Sequence, residues 1–230
     1  MYLFIQVNWG TRFIVTLIAL PGVYAPQDDT ALLAEALRSE VLPPHARVLD
    51  VGTGTGALAL AAAQRGAEVT AVDASWKAVL TARLNARLAQ LPVEVLKGSL
   101  LKPVADRTFD LIMANPPYVP APSTTPGRGA ARAWDAGRDG RLILDRLCAT
   151  APALLRPGGV LLLVHSALSG EEQTVGALRA AGLSTSVVER RAVVFGPVLR
   201  SRQTWLEARG LIQTGQDKEE LVVVRAERTR

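Results

Sequence analysis

A chain of 230 residues, 49% of them hydrophobic, is long enough for one large domain and apolar enough to bury a core, which excludes a mostly disordered chain. The net charge of +5 and pI near 9.9 admit an anionic partner, but only four of the 26 basic residues are lysines and the arginines are scattered, so charge selects none. A single cysteine, Cys148, and two distant histidines, His45 and His165, exclude a disulfide framework and offer no metal-ligand spacing.

From the N-terminus, the apolar run Phe13 to Leu20 is too short to span a bilayer. It lacks a basic leading region and a clear small-residue cleavage site, so a soluble cytoplasmic protein is expected. Residues 1–21 are set apart as an extension of unknown role, and 22–230 read as one domain. After Pro21-Gly22, the spacing of Leu32, Leu33, Ala36, Leu37 and Val41 predicts an amphipathic helix from about Thr30 to Val41, stopped by Pro43-Pro44. The pattern then alternates. Strands are expected at Val48–Val51, Val69–Val72, Val93–Leu96, Phe109–Ala114 and Val160–Val164. Helices are expected at Ala57–Gln64 and Lys77–Leu88, and from about Arg141 to Leu155 with Asp139 as N-cap. Cys148, among Leu142, Leu144 and Leu147, reads as a core residue. A helix at Glu171–Ala181 and strands at Val187–Phe195 and Leu221–Val224 complete the chain. Strands alternating with helices of this length predict an α/β fold with a doubly wound, mostly parallel sheet of seven strands.

Two turns in this alternation carry chemistry. Asp50-Val51-Gly52-Thr53-Gly54-Thr55-Gly56 lies between a strand and a helix, where glycine permits tight turning and close approach of a ligand to backbone. About 20 residues on, the next strand ends at Asp73, the position from which a carboxylate reaches ribose hydroxyls. The spacing is G-x-G-x-G rather than G-x-G-x-x-G, which points away from a pyrophosphate. Asp50 at the strand end suits a cationic amino-acid moiety better than a phosphate.

The second turn is Asn115-Pro116-Pro117-Tyr118, which ends the apolar strand Phe109 to Ala114. Two prolines cannot continue a central strand, because proline donates no ladder hydrogen bond and has a fixed φ. The chain stops on an amide, two restrained carbonyls and an aromatic ring. That set suits a flat, conjugated NH2 group. The Asn115 side-chain oxygen and the Pro116 carbonyl each accept one N–H, and the Tyr118 ring covers the plane. A plain strand-ending turn is the alternative reading.

Taken together, these segments resemble class I S-adenosylmethionine-dependent methyltransferases, and within them the HemK-type family, over about Gly22 to Val224. VLDVGTGTGALAL is similar to the family's first motif, AVDAS to its acidic strand end and FDLIMANPPYVP to its catalytic strand and loop. RAWDAGRDGRLILDRL resembles the loop and helix that follow. GVYAPQDDTALLAEAL resembles the opening of the short HemK-type enzymes, where a Tyr and an acidic-Thr pair close over the cofactor; Tyr24, Asp28, Asp29 and Thr30 match here. The resemblance implies S-adenosyl-L-methionine as cofactor, bound by Tyr24, Asp29, Thr30, Asp50, Gly52, Gly54, Gly56, Asp73, Ser99, Leu100 and Asn115. The catalytic set it implies is Asn115, Pro116, Pro117 and Tyr118. Two departures stand out: Ala25 replaces the family's usual Glu, and Ser99 stands where an Asp commonly contacts the adenine amine.

The acceptor implied by the family is the Gln of the Gly-Gly-Gln motif in a translation release factor. Some 30 residues before the core make the chain similar to the short eukaryotic and archaeal type, whose eukaryotic members work with a small zinc-binding activator. Exocyclic-amine methylation in RNA or DNA is a second reading, and a small-molecule acceptor a third. The segment Gly196–Gly215, with Arg200, Arg202, Trp205 and Arg209, reads either as a nucleic-acid or acidic-surface grip or as a helix with Trp205, Leu206 and Leu211 packed inward and solvated arginines. Trp76 reads as an adenine neighbour or a core anchor. Pro120–Arg138, carrying Arg128, Arg132, Trp134 and Arg138, reads as a mobile loop beside the acceptor.

Overall fold

The computed structural model describes residues 3–8, 14–125 and 129–229; Arg128 and Phe13 lie outside the described residues. A two-stranded antiparallel hairpin, β1 (Leu3–Asn8) and β2 (Ile14–Ala19), precedes a seven-stranded sheet. That sheet contains β3 (Arg47–Val51), β4 (Glu68–Asp73), β5 (Val93–Lys97), β6 (Phe109–Ala114), β7 (Leu155–Ser166), β8 (Leu183–Val194) and β9 (Lys218–Arg228). Their spatial order is β5-β4-β3-β6-β7-β9-β8, with β9 antiparallel to both neighbours and the pairings from β5 across to β7 all parallel. The expected sheet is present, and the order turns back between β3 and β6, which opens a crevice at their carboxyl ends.

The helices are α1 (Asp28–Ser39), α2 (Ala57–Ala63), α3 (Trp76–Leu88), α4 (Leu144–Thr150), α5 (Glu171–Ala180) and α6 (Pro197–Ala208). Alternate residues of the central strands serve two cores. Val48, Leu111 and Met113 pack with α1, α2 and α3, while Leu49, Val51, Ile112 and Ala114 pack with α4 and α5. Every residue of α2 is buried, and its alanines let that helix lie close to the sheet. Cys148 belongs to the second core, and burial pushes its thiol up to about 11, so it is an inert packing residue.

The hairpin is tied to the domain by one buried amide. Asn85 of α3 accepts Ile18 N–H on Oδ1 at 2.9 Å, and its Nδ2 donates to Ile18 O and Thr55 O, each at 2.9 Å. The side chain thus takes the place of a neighbouring strand for β2 and joins β2 to the glycine-rich turn.

Four expectations need correction. The helix expected from Thr30 to Val41 ends at Ser39, and Val41, expected on its apolar face, is 93% exposed. The helix expected from Arg141 begins at Leu144, because Asp139 Oδ1 accepts Arg141 N–H at 3.0 Å in a local turn and does not cap the helix. Trp76 is 55% exposed, which rules out a core anchor; Lys97 Nζ lies 5.1 Å from its ring centroid. In α6, Leu206 is buried with Phe195, Leu199 and Ile212, and Trp205 and Leu211 pack on that cluster as the inward-packed reading expects. Arg200 and Arg209 are exposed, but Arg202 is not a solvated arginine: it is ion-paired with Asp135. Among the described residues no helix is long and apolar enough to cross a membrane, and no cluster of His, Cys, Asp and Glu has metal-ligand geometry.

Candidate active site

The loops after β3 and β6 meet across the crevice: a Cβ on Gly52 would stand 3.9 Å from the Asn115 carbonyl oxygen. The β3 side is organised around Asp50, which is only 1% exposed. Thr53 Oγ1 donates to Asp50 Oδ2 at 2.6 Å and the Ala59 N–H donates to the same oxygen at 3.1 Å. Asp50 Oδ1 is buried without a partner. Burial pushes the carboxyl up to about 6, against the pull of those two hydrogen bonds. Gly52 and Thr53 donate their N–H groups to Val72 O at 2.8 and 3.1 Å. Gly56 caps α2 with φ +86°, and a Cβ there would lie 3.2 Å from Ala82 Cβ, so the turn needs glycine both for its left-handed φ and for close approach of α3.

Asp73, at the end of β4, accepts Gly54 N–H at 3.0 Å and Ser75 N–H at 2.7 Å. Burial raises its carboxyl above the usual range, while these N–H groups and Arg132 oppose the shift. Gly98 N–H donates to Asp73 O at 2.9 Å, which fixes the end of β5 beside β4. Beyond it Ser99 is exposed, and half-buried Leu100, at φ +51°, packs on the second core.

The β6 side depends on contacts distant in sequence. Asn115 Nδ2 donates to Thr30 Oγ1 at 3.2 Å, and Thr30 Oγ1 donates to Asp29 Oδ1 at 3.1 Å. The hydroxyl proton is committed to the carboxylate, so Thr30 presents a lone pair to Asn115 and orients its amide. No described residue donates to Asn115 Oδ1. Asp29, 3% exposed, also accepts Thr30 N–H at 2.5 Å on Oδ1, and on Oδ2 the Tyr24 and Tyr118 hydroxyls at 2.7 and 3.1 Å. Burial first, then the Asp29 charge, raises both phenols well above their usual range and holds them as donors. Pro116 is buried and Pro117 half-buried.

Four residues that the sequence did not single out complete this side. Ser169 Oγ donates to Tyr118 O at 2.6 Å. Gly140 fits against that bond, since a Cβ there would lie 2.2 Å from Tyr118 O and 2.4 Å from Ser169 Oγ. Arg141, 5% exposed, donates to Ser169 O at 2.5 Å, Gly170 O at 2.8 Å and Thr174 Oγ1 at 3.2 Å. Glu219, 9% exposed with Oε2 unpartnered, is pushed up to about 7, first by burial and then by Asp29, with the Ser166 hydroxyl opposing. Each acts on groups distant in sequence, so no local spacing marks it. Trp134 is half-buried, and its carbonyl accepts Val119 N–H at 2.8 Å.

A glycine turn and an acid on one side of the reversal point, facing an amide-bearing loop on the other, is the plan of a class I methyltransferase. Known proteins agree. Residues 14–129 match the methyltransferase small domain family. A Methanocaldococcus jannaschii protein, provisionally named a protein N5-glutamine methyltransferase, is 35% identical over 177 residues, covering 76% of this chain and 88% of that relative. A release factor glutamine methyltransferase of Deinococcus radiodurans is 43% identical over 169 residues, covering 69% of this chain and 58% of the relative, so the chain spans little more than half of that longer protein. Its counterpart in Geobacter sulfurreducens is 37% identical over 67% of this chain and 55% of the relative. Among solved structures, the Encephalitozoon cuniculi (E. cuniculi) Mtq2-Trm112 complex, which methylates the eRF1 termination factor, shares the fold with a TM-score of 0.64 at 22% identity, over 90% of this chain and 99% of that one. A Thermus thermophilus (T. Thermophilus) 16S rRNA N2 G1207 methyltransferase shares it with a TM-score of 0.67 at 22% identity, over 99% of this chain and 50% of that one. The chain belongs to the methyltransferase small domain family, in its HemK-type glutamine methyltransferase group.

Proposed function

We propose that this chain transfers a methyl group from S-adenosyl-L-methionine to the side-chain amide nitrogen of a protein glutamine, the Gln of a release factor's Gly-Gly-Gln motif. The observation that carries the reading is the orientation of Asn115. Its Nδ2 is spent on Thr30, which is itself committed to Asp29, so Oδ1 is left to accept a hydrogen bond in the crevice. A planar NH2 group has two hydrogens to place and a lone pair delocalised into its carbonyl. Asn115 Oδ1 and the Pro116 carbonyl accept those two hydrogens, holding the group so that its lone pair faces the methyl donor. Catalysis is then alignment, the conversion of an encounter into an oriented contact.

S-adenosyl-L-methionine supplies an electrophilic sulfonium methyl group. The donor set fits it: backbone N–H groups and glycines at the β3 turn, an unpartnered buried oxygen on Asp50, and Asp73 at the ribose position. Gly52, Gly54, Gly56, Asp73, Ser99 and Leu100 form one wall, with Tyr24, Thr30 and Asn115 on the other. The oxygens of Asp29 are engaged by four donors, so its part is to orient Tyr24, Thr30 and Tyr118. The nitrogen of a methylated amide sheds its surplus proton readily to water, and no base is required beside Asn115. Tyr118, pinned at its hydroxyl by Asp29 and at its carbonyl by Ser169, covers the acceptor plane and, with Pro117, closes the loop.

A small activator subunit belongs to this reading as a partner, by analogy with the E. cuniculi complex. A release factor as substrate places the chain in the cytoplasm. The test is transfer of labelled methyl to purified release factor, its Gln→Ala form, total RNA and total DNA, with and without a cognate activator. Label on the wild-type factor alone upholds the reading. Label on RNA or DNA replaces it with base-amine methylation.

A further inference from the structure

We propose that Arg202 on α6 is a positioning residue for the acceptor: it clamps the loop that follows Tyr118 and so shapes the surface the acceptor meets. This inference rests on the reading of Asn115–Tyr118 as the acceptor site. Arg202 Nη1 donates to Pro120 O at 2.9 Å, and Nη2 donates to Asp135 Oδ1 at 2.5 Å. The two side chains of the ion pair are only 18% and 13% exposed. The groups it grips lie on opposite arms of one loop. On the first arm, Val119 N–H donates to Trp134 O at 2.8 Å and Ala121 N–H donates to Gly137 O at 2.8 Å. On the second, Ala136 N–H donates to Val119 O at 3.1 Å. The guanidinium fork therefore closes a pairing that starts one residue after Tyr118.

The geometry suits arginine and not lysine, because two acceptors on separate segments need two divergent N–H groups in one rigid plane. The clamp cannot swing free, since Phe195, Leu199, Leu206 and Ile212 bury the inner face of α6 with Val119 and Leu168 packed against them. Without Arg202, the Pro120 carbonyl and the shielded Asp135 carboxylate lose their partner together. The loop would open at its base, next to Tyr118, while the cofactor wall at Gly52–Gly56 and Asp73 shares no hydrogen bond with this clamp and feels the loop only through the charge of Arg132 on Asp73. A positioning role thus predicts a selective loss on the acceptor side.

The experiment uses the full chain as wild type, Arg202→Ala, Arg202→Lys, Asp135→Asn and the charge swap Arg202→Asp with Asp135→Arg. Three readouts are taken: S-adenosyl-L-methionine affinity by calorimetry, methyl transfer against release-factor concentration, and trypsin cleavage after exposed Arg132 and Arg138 followed by mass spectrometry. Arg202→Ala is expected to raise the acceptor KM about tenfold, the scale of one lost charge-assisted hydrogen bond. Cofactor affinity should stay within about twofold and cleavage should accelerate, with Arg202→Lys and Asp135→Asn intermediate and the swap recovering part of the loss. Unchanged KM and cleavage in Arg202→Ala would overturn the proposal. So would equal losses in cofactor affinity and acceptor KM, which would make the pair a general support of the fold. If wild type leaves release factor unlabelled both with and without a cognate activator, the acceptor reading fails by itself. The clamp is then judged on cleavage and cofactor affinity, where faster cleavage with intact affinity sustains it and unchanged cleavage rejects it.

Discussion

The two walls of the crevice are built by different means. The β3 side, our proposed cofactor wall, is made almost entirely from two short stretches, Asp50–Ala59 and Asp73–Ser75, whose backbone N–H groups donate to the Asp50 and Asp73 carboxylates, with Asp50 Oδ1 left unpartnered. The β6 side, our proposed acceptor wall, joins residues 85 to 89 positions apart, with Asn115 on Thr30 and Tyr118 on Asp29, and adds Ser169 from a third loop. A wall of backbone is rigid because glycine dihedrals and sheet pairing hold it. A wall of side-chain hydrogen bonds is only as fixed as each link, and losing one link frees the next.

The largest effect that separates the walls is expected from Asn115→Ala. It removes one of the two acceptors for the NH2 group, and removal of a single positioned hydrogen-bonding group typically costs about 10²–10³-fold in kcat. Cofactor affinity measured by calorimetry should change by only a few fold; a collapse of affinity instead would merge the two walls into one unit.

Next in size is a pH effect in which the walls differ by window. Glu219 on the acceptor side is pushed from 4.5 to about 7, and Asp50 on the cofactor side from 3.8 to about 6. Both carboxyls hold their proton more tightly folded than unfolded, so stability falls as pH rises through each window. Each contributes on the order of 3 kcal/mol at most. In urea titrations from pH 4 to pH 8, Glu219→Gln should flatten the decline between about 4.5 and 7, and Asp50→Asn the decline between about 3.8 and 6, so that above pH 6 only the Glu219 variant departs from wild type. Parallel curves for both variants and wild type would show that neither burial governs the slope.

Gly56→Ala forces a Cβ into a left-handed position against Ala82, at a cost of about 1–2 kcal/mol. It should raise the KM for S-adenosyl-L-methionine about tenfold and leave the acceptor KM alone. The smallest effect is expected from Thr30→Val, which keeps shape and deletes the hydroxyl that orients Asn115. Loss of the two hydrogen bonds through that hydroxyl, to Asn115 and to Asp29, each about 1 kcal/mol, predicts a several-fold drop in kcat, with Thr30→Ser restoring it. A Thr30→Val enzyme with normal kcat would mean that Asn115 is held by its backbone alone.

Legibility in the sequence follows the same division. The strand–turn–helix at Val48–Gln64, the acid at Asp73 and the halt at Asn115-Pro116-Pro117-Tyr118 were readable because each is a local pattern: apolar runs, glycines that permit positive φ, prolines that forbid a ladder. The helix expected at Arg141 started late because Arg141 is drawn into a buried site by Ser169, Gly170 and Thr174, a demand invisible in the helix's own periodicity. Of the two readings of Trp76, adenine neighbour or core anchor at a helix start, the anchor fails: the side chain faces out, because α3 buries Ala78, Val79 and Ala82 instead.

By itself the sequence determined the alternation of strands and helices, the glycine turn, the amide–proline loop and so the class of chemistry, since these depend on backbone dihedrals and hydrophobic period, which act between near neighbours. Only the tertiary structure decided that Asp29 binds two tyrosines, that Thr30 turns the Asn115 amide, that Asn85 docks the N-terminal hairpin and that Arg202 joins Pro120 to Asp135. Those bonds join groups brought together by sheet order and core burial, and partner choice over such separations is set by packing rather than by any spacing along the chain.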